Sequence, residues 1–414
     1  MRRPTILMMT VGAFALVGSV VTQNAPGGAT TDESQATAAP AANCTGEPIK
    51  LASITSTSGS FASRDVPAGL RAAVEAVNER CELGRPFKLI FCDDHNDANT
   101  AADCANKAVA AQVLAEVLTS FSTVLDASQA ILTQNNIPLY ANAGFGATQG
   151  GTSPLSFPIG SPIVEQLGSA SAAKALGAKS SVLVLGDVGP GAAALNDLVK
   201  GRAGVEVGDP VLVPMGATDL SQVAAQVVSR NADAISLGIG ANQTESFLKA
   251  LIDRGFDFDK KIVIAPNGTM PDALIKKFDK KLDGAYLIGT TARTGDTKNN
   301  GITEYRKEMK AAREKELNTL GVEAWAGIHE LVDVLKSMPR VDSASLVEKL
   351  KTSKVNRPEL APVDWTTPAF PDDPILKSLR QFVRDIKLYK VVNGKAKLIS
   401  PGYVDTTTDF GLER

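Results

Sequence analysis

Short apolar runs alternate with longer stretches of helical periodicity from residue 49 onward. Strands are predicted at 49–55, 87–92, 116–120 and 137–140. Helices are predicted between them at 68–80, 98–114 and 125–134. Strands that alternate with helices are typical of parallel βαβ units. The first third of the folded chain is therefore predicted to be one α/β lobe.

The same alternation restarts after residue 162. Strands are predicted at 181–185, 205–213, 234–239, 261–265 and 285–288. Helices are predicted at 163–176, 191–201, 219–230, 243–255 and 271–280. Two successive series of similar size predict an α/β protein with two Rossmann-like lobes, each on a parallel sheet, joined by a hinge.

The last quarter of the chain has a different pattern. Helices are predicted at 300–316, 321–337 and 343–352, and a hairpin at 386–392 and 396–399 around Asn393-Gly394. We expect the helices to return to the first lobe. Lobe 1 is then 46–161 with about 292–366, and lobe 2 is 162–291 with about 367–414. Because ligands of open parallel sheets bind at the carboxyl ends of strands, the cleft between the lobes is the candidate site.

The N-terminus has the order of a secretory signal peptide. A basic start precedes an uncharged apolar run at 5–21, and small residues follow, with cleavage expected after Ala25 or Ala29. We assign 1–25 to the signal peptide and 26–45 to a flexible linker. An uncleaved membrane anchor stays an alternative, because the run is close to spanning length. We expect an exported protein, periplasmic or extracellular and associated with the cell surface.

Four cysteines fit an oxidising compartment. Three pairings are open to them. Cys44 precedes the first strand and Cys81 follows the first helix, whereas Cys92 ends the second strand and Cys104 lies early in the next helix. We therefore predict the disulfides Cys44–Cys81 and Cys92–Cys104. Zinc is the competing hypothesis, but no C-x-x-C pair is present, and free thiols remain open if the protein is not exported.

Charge and motifs exclude several functions. The formal net charge of −2 favours neither nucleic acid nor an anionic membrane as a partner. Neither a nucleophile elbow nor a phosphate-binding loop is present, so we expect neither an enzyme nor a cofactor. The two histidines, His95 and His329, lack metal-site spacing. Asp93, Asp94 and Asp97 are expected to form a solvated turn that caps the next helix rather than a cation site.

One ordered set of segments is more specific than any single motif. Its members end or form the first-lobe strands and first helix, and its last member ends the final hairpin: 55–61, 68–78, 91–94, 119–122, 137–142 and 402–405. The set resembles the type I periplasmic binding proteins, specifically the branched-chain amino-acid (leucine/isoleucine/valine) receptors of ABC transporters. The resemblance implies hinged lobes that close on a ligand, a monomer, and membrane permease subunits as partners.

The resemblance also implies site residues. In amino-acid members, a loop serine and main-chain groups after the third and fourth strands hold the α-carboxylate, and the matching positions are Ser122 and Ala143. Ser122 at a helix start suits an anion. A hydroxyl and an acidic residue hold the ammonium in that family, but here those positions are Phe145 and Asn267. An unpaired ammonium would lose roughly 1.5–3 kcal/mol.

Further departures alter the expected ligand. Two aromatic wall positions of the family correspond to Gly191 and Gly240, which leaves room for a larger solute. Phe61 and Phe145 are candidate apolar walls, and Arg64 is a candidate partner for a carboxylate or simply a solvated charge. We therefore expect a bulkier organic acid or a neutral compound rather than an amino acid. A ligand-sensing module on the same fold is the alternative function.

Overall fold

The computed structural model describes residues 44–58, 62–118, 124–142, 152–408 and 410. The predicted signal peptide and nearly all of the predicted linker lie outside these ranges. None of the helices in the described ranges is both long and apolar enough to span a bilayer.

The first sheet is wholly parallel, as the buried apolar runs predict. Its strands are β1 (Ile49–Thr55), β2 (Phe87–Asp93), β3 (Ala115–Val117), β4 (Leu139–Tyr140) and β5 (Ser156–Phe157), and their spatial order is β2-β1-β3-β4-β5. The helices that connect them are α1 (Asp65–Arg80), α2 (Ala98–Ala110) and α3 (Leu125–Gln134). β1 is central and almost fully buried, because its apolar run is covered on both faces.

The second sheet begins with a parallel series. Its strands are β6 (Ser180–Gly186), β7 (Glu206–Val207), β8 (Val211–Val213), β9 (Ala234–Gly238), β10 (Ile262–Pro266) and β11 (Tyr286–Gly289). The accompanying helices are α4 (Pro162–Ala175), α5 (Pro190–Lys200), α6 (Ser221–Ser229), α7 (Ala241–Asp253) and α8 (Asp272–Phe278). The central order is β11-β10-β9-β6, with β7 and β8 both paired to β6.

The rest of the chain contributes elements to both lobes. Its elements are α9 (Asn300–Ala311), α10 (Thr319–Lys336), α11 (Ser343–Leu350), β12 (Lys354–Val355), β13 (Val363–Asp364), α12 (Pro374–Ser378), β14 (Asp385–Val391), β15 (Ala396–Leu398) and β16 (Val404–Asp405). α10 packs on α1, where a Cβ on Gly69 would lie 2.2 Å from the Gly321 carbonyl oxygen. β14 pairs antiparallel with β11, so the chain ends in the second sheet.

The segments that pass between the sheets are tied to one another. The chain crosses after β5, after β11 and again between β13 and β14. Trp365 Nε1 donates to the Pro158 carbonyl at 2.9 Å, and Ala361 N donates to the Thr290 carbonyl at 2.8 Å. Ser161 Oγ donates to the side chain of Gln381. These hydrogen bonds hold the crossings side by side, which is the arrangement of a multistranded hinge.

Both predicted disulfides are formed. Cys44–Cys81 has a Cα–Cα distance of 5.4 Å, and Cys92–Cys104 has one of 5.8 Å. Cys81 occupies the left-handed position after α1, with φ of 49°, which turns its side chain back to the start of β1. Both bridges therefore close βα units within the first lobe.

Several predicted boundaries are wrong for identifiable reasons. The strand predicted at 205–213 is split into β7 and β8, because Pro210 lies between them and cannot donate to a ladder. The helix predicted at 300–316 ends at Ala311, and the one predicted at 98–114 ends at Ala110. The predicted hairpin is correct: Asn393 and Gly394 have φ of 54° and 65° between β14 and β15, as a type I′ turn requires.

Candidate functional site

A cavity of about 160 Å³ lies where the carboxyl ends of second-sheet strands face helices of the first lobe. β6, β9, β10 and β11 all end at this cavity, and the N-terminal ends of α1 and α10 lie across from them. Parallel strands that end together leave their strand-to-helix turns at one sheet edge, which is where ligands of such sheets bind.

The wall on the second-sheet side is apolar and built around small residues. Its larger apolar members are Leu185, Val188, Ala192, Leu195 and Ile239, and Leu320 adds to them from α10. Gly238 leaves room here, because a Cβ would lie 2.6 Å from Leu185 Cδ2 and 3.2 Å from the Gln166 amide nitrogen, and these side chains would have to shift. The cavity therefore offers an apolar surface that is shaped by the absence of side chains.

Three carboxyl groups from three helices line the same cavity. Glu165 Oε1 on α4 accepts from the Thr290 amide at 3.3 Å. Glu323 Oε1 on α10 accepts from the Thr291 hydroxyl at 2.5 Å. Thr290 and Thr291 directly follow β11. The residues after this one strand therefore contact a carboxyl from each lobe. Asp65 on α1 is the third, and its Oδ2 accepts from the Gly321 amide at 2.8 Å.

Burial disfavours the ionised form of these three carboxyls. It raises the pKa of Glu165 to about 8, that of Glu323 to about 7 and that of Asp65 to about 6. The Glu323 charge raises the pKa of Glu165 further, and the Asp65 charge does the same for Glu323. We call Asp65, Glu165 and Glu323 the carboxyl cluster.

No cationic side chain offsets the carboxyl cluster. Among the described residues that line the cavity there is neither lysine, arginine nor histidine. Of the internal residues outside the described ranges, 59–61, 119–123 and 143–151 are uncharged in sequence, and residue 409 is an aspartate. The described side chains that line this cavity are thus acidic, polar or apolar.

Gln166 adds an unused acceptor to the same wall. It is 4% exposed, and its Nε2 donates to the Leu237 carbonyl at 2.9 Å. Its Oε1 has no hydrogen-bond partner within the described chain. A buried acceptor left without a donor costs about 1–3 kcal/mol, so a donor from a bound molecule would be favourable here.

Some of the site residues predicted from the sequence line the cavity, and others do not. Gly191 and Gly240 line the cavity. Asn267 does not; it lies behind the wall, where its Nδ2 donates to the Thr291 carbonyl at 3.0 Å and its Oδ1 accepts from Arg293 at 3.3 Å. Arg64 is exposed, donates to the Thr57 carbonyl at 3.2 Å and does not line the cavity. Four predicted residues lie outside the described residues: Phe61, Ser122, Ala143 and Phe145.

Sequence reasoning missed all three members of the carboxyl cluster. A usable signal existed for Glu165 and Glu323, since each is an acidic residue within an apolar helical segment. Of the three aspartates at the end of β2 and in the turn after it, Asp97 caps α2, and its Oδ1 accepts from the Thr100 amide at 2.8 Å.

The sequence profile of the Periplasmic binding protein family matches residues 48–395. The chain belongs to the type I periplasmic binding proteins. Its first sheet is parallel and its second is parallel from β6 to β11, with the cavity at the carboxyl ends of those strands, and this agrees with that membership. Among curated protein sequences, none matches this periplasmic binding protein significantly.

Solved structures of similar fold are named for different solutes. A solute-binding protein of an ABC transporter from R. palustris, in complex with 4-hydroxybenzoate, is 18% identical over 88% of this chain and 99% of its own, with a TM-score of 0.71. The branched-chain amino acid transporter substrate-binding protein of Streptococcus pneumoniae, in complex with isoleucine, is 17% identical over 86% and 99%, with a TM-score of 0.68. A fatty acid ABC transporter substrate-binding protein from Thermomonospora curvata is 16% identical over 87% and 92%, with a TM-score of 0.71. At these identities the neighbours establish the fold of this periplasmic binding protein.

Proposed function

We propose that this periplasmic binding protein is the extracytoplasmic solute-binding component of an ABC importer. It captures a small organic solute between its lobes and hands it to membrane permease subunits. The observation that carries the proposal is the cavity at the carboxyl ends of β6, β9, β10 and β11, closed from the other side by α1 and α10. A site made by two lobes ties ligand binding to their relative position.

Family and neighbours support capture rather than chemistry. The matching family is one of binding proteins, and the three neighbours described above are named as transporter components. The described lining holds one serine next to α1, Ser63, and another at the start of α4, Ser161, but no histidine that could act as their base. Release of an unchanged solute is therefore the expected outcome of binding.

The sequence left an organic acid or a neutral compound open as the ligand, and an organic acid finds no cationic partner in the described lining. Arg64, the candidate for that role, lies outside the cavity. The tightest solutes are thus expected among neutral or positively charged compounds.

A thermal-shift screen of the mature chain tests capture. Amino acids, amides, amines, aromatic acids and sugars form the panel. A solute at a hundredfold over its dissociation constant stabilises the folded chain by about 2.7 kcal/mol, which is several degrees in Tm. A matched variant, Leu195→Trp, fills the cavity wall and should abolish the shift. Chemical turnover of the best binder, or a shift that the variant leaves intact, would contradict capture in the cleft.

A reconstitution separates import from the alternative of ligand sensing. The permease and ATPase subunits encoded nearest to the gene are placed in lipid vesicles. The loaded protein is expected to stimulate ATP hydrolysis and accumulate the solute inside. Binding without stimulation, together with capture of a signalling receptor, would favour a sensing module.

Export is tested by the mass of the protein recovered outside the cytoplasm. Cleavage after Ala25 or Ala29 predicts a mature chain that starts at residue 26 or 30. A full-length chain held in the membrane fraction would instead establish the uncleaved anchor.

A further inference from the structure

We propose that the interlobe cavity recognises a small organic amine, whose protonated nitrogen binds between Glu165 and Glu323 while its apolar part lies on the second-sheet wall. The inference rests on the proposed function, because it names the class of solute that the cleft captures. Lobe 2 supplies Glu165 from α4, and α10 on the first lobe supplies Glu323.

Charge is the first argument. Three carboxyls line one cavity, and the described lining contains no cation to neutralise them. Buried carboxylates are normally paired, because leaving one alone in a low-dielectric site is costly. A protonated amine supplies the missing charge, and neither an organic acid nor a sugar does.

Unsatisfied hydrogen-bonding capacity is the second argument. The Gln166 Oε1 atom is buried on the same wall without a partner in the described chain. Together with the carboxyls of Glu165 and Glu323 it makes a set of acceptors, and a primary ammonium carries three donors. The polar side of the cavity thus matches a donor-rich head group.

Position between the lobes gives the bound cation a mechanical role. Glu165 and Glu323 are held by consecutive residues, Thr290 and Thr291, at the segment that crosses from one lobe to the other. A cation between two like charges is attracted to both, so it stabilises the arrangement in which they approach. The ligand then favours the closed lobes through its differential contacts.

Size and ligand type favour an organic cation over a metal ion. A cavity of about 160 Å³ resembles in size the engineered apolar cavity of about 150 Å³ that admits benzene. Within the described residues no group of three or more histidine, cysteine, aspartate or glutamate side chains is placed to hold a metal. A bare metal ion would also make no favourable contact with the apolar wall. One ring or a short aliphatic chain on a primary amine fits the site.

Matched head groups test the inference by isothermal titration calorimetry. The probes are benzylamine, benzyl alcohol and benzoate, with butylamine, butanol and butyrate as a second skeleton. An amine is expected to bind at least tenfold more tightly than the alcohol and the acid of the same skeleton, a difference of about 1.4 kcal/mol. A carboxylate or an alcohol as the best binder of both series would overturn the inference.

The pH dependence distinguishes two uses of the same carboxyls. Asp65, Glu165 and Glu323 face the ligand, and Glu316 and Tyr305 face Asp65 from behind. An amine needs ionised carboxyls, so its affinity should rise from pH 6 to pH 8, by up to about tenfold per unit for each proton released. Titrations in two buffers of different ionisation enthalpy should show proton release. Proton uptake and falling affinity would show that the carboxyls act as donors to an anion, contrary to the inference.

Isosteric variants test whether Glu165 and Glu323 are the residues that bind the amine. Glu165→Gln and Glu323→Gln should each weaken amine binding at least tenfold and flatten its pH dependence. Glu348→Gln is the matched control, because that residue is exposed on α11 and pairs only with Lys351. Equal amine affinity in all variants would overturn the assignment. If a variant does not fold, the number of protons released when the amine binds the unmodified protein tests the inference instead. If no amine binds while another solute gives a cavity-dependent thermal shift, the inference fails and the proposed function stands. If nothing in the broad panel binds, both fail.

Discussion

Two groups of buried carboxyls in this protein have opposite surroundings. Glu308 on α9, 5% exposed, is enclosed by donors: Arg80 Nη1 at 2.9 Å, Trp325 Nε1 at 2.6 Å and His329 Nε2 at 2.8 Å. Burial alone would raise the pKa of Glu308, yet hydrogen bonds from His329, Arg80 and Trp325 hold it below its usual value. The carboxyl cluster has no such cation, and burial raises the pKa of each member.

The difference distinguishes a carboxylate that stabilises the fold from carboxyls that line a binding site. A carboxylate whose charge is fully matched contributes to holding helices together, and its ligands are all residues of the chain. A carboxyl kept in a cavity without a neighbouring cation is unfavourable for the empty protein, and carboxyls with shifted pKa values cluster at functional sites. The four predictions below test this division, from the largest effect on stability to the smallest.

Removing the matched carboxylate should cost the most. Glu308→Ala leaves the donors of Trp325 and His329 unpaired in the core, so we expect a loss of about 3–5 kcal/mol in the free energy of unfolding by urea. Because the pKa of Glu308 is lowered, its contribution is present above pH 4.5 and is lost as the pH falls through the folded-state value. Glu304→Ala on the same helix, in an exposed pair with Lys307 at 3.3 Å, is the control. Similar losses in both variants would remove the distinction between matched and surface carboxylates.

Neutralising a member of the carboxyl cluster should stabilise the empty protein. The pKa of Glu323 is raised from 4.5 to about 7, which disfavours the folded state above pH 4.5 by up to about 3 kcal/mol. Glu323→Gln should therefore raise Tm at pH 8 and have no effect near pH 4, where both states bind the proton. Asp333→Asn, exposed on the same helix, should show neither change. A destabilised Gln variant at pH 8 would mean that the Glu323 charge is compensated after all.

Displacing that carboxyl without removing it should have an intermediate effect. A Cβ on Gly160 would lie 2.9 Å from both carboxylate oxygens of Glu323. Gly160→Ala should lower stability by about 1–2 kcal/mol and weaken amine binding, as calorimetry would show. Gly201→Ala, whose Cβ would have its nearest neighbour at 3.6 Å, is the control. Unchanged binding by Gly160→Ala would argue against a fixed position for Glu323.

An exposed ion pair should matter least, despite its short distance. Lys249 Nζ and Asp253 Oδ2 are 2.5 Å apart on α7, but both side chains are largely in solvent. Lys249→Ala should leave the free energy of unfolding almost unchanged, and the small remaining effect should shrink further at high salt. A loss comparable to that of Glu308→Ala would show that distance rather than burial decides the strength of such pairs.

The sheets were predictable because their strands are buried apolar runs. β1, β6 and β9 lie within two residues of their predicted limits, and the hairpin followed from Asn393-Gly394. β4, β5 and β7 are two residues long, and pairing with a neighbour rather than local sequence defines them. The disulfides were predictable because Cys44 at a strand start meets Cys81 at the end of the next helix, whereas Cys92 at a strand end meets Cys104 early in the next helix.

The candidate site was less predictable, since it depends on contacts between distant segments. Glu165 and Glu323 are 158 positions apart, and only the exit of β11 brings them to one cavity. Family correspondence pointed to Gly191 and Gly240, which line the cavity, and to Asn267, whose Nδ2 donates to the Thr291 carbonyl and which does not line it. A correspondence of positions does not say which polar residues have replaced the family's own.

The place of β14 has a consequence for the order in which the protein is made. This strand pairs with β11, yet 95 residues separate the end of β11 from its start, and α10 must meanwhile pack on α1. The second sheet therefore keeps an open edge until nearly the whole chain has been synthesised. A nascent chain of this kind offers an incomplete fold to chaperones and to the export machinery for most of its synthesis, and a chain that stops before residue 385 would leave that edge permanently available for aggregation.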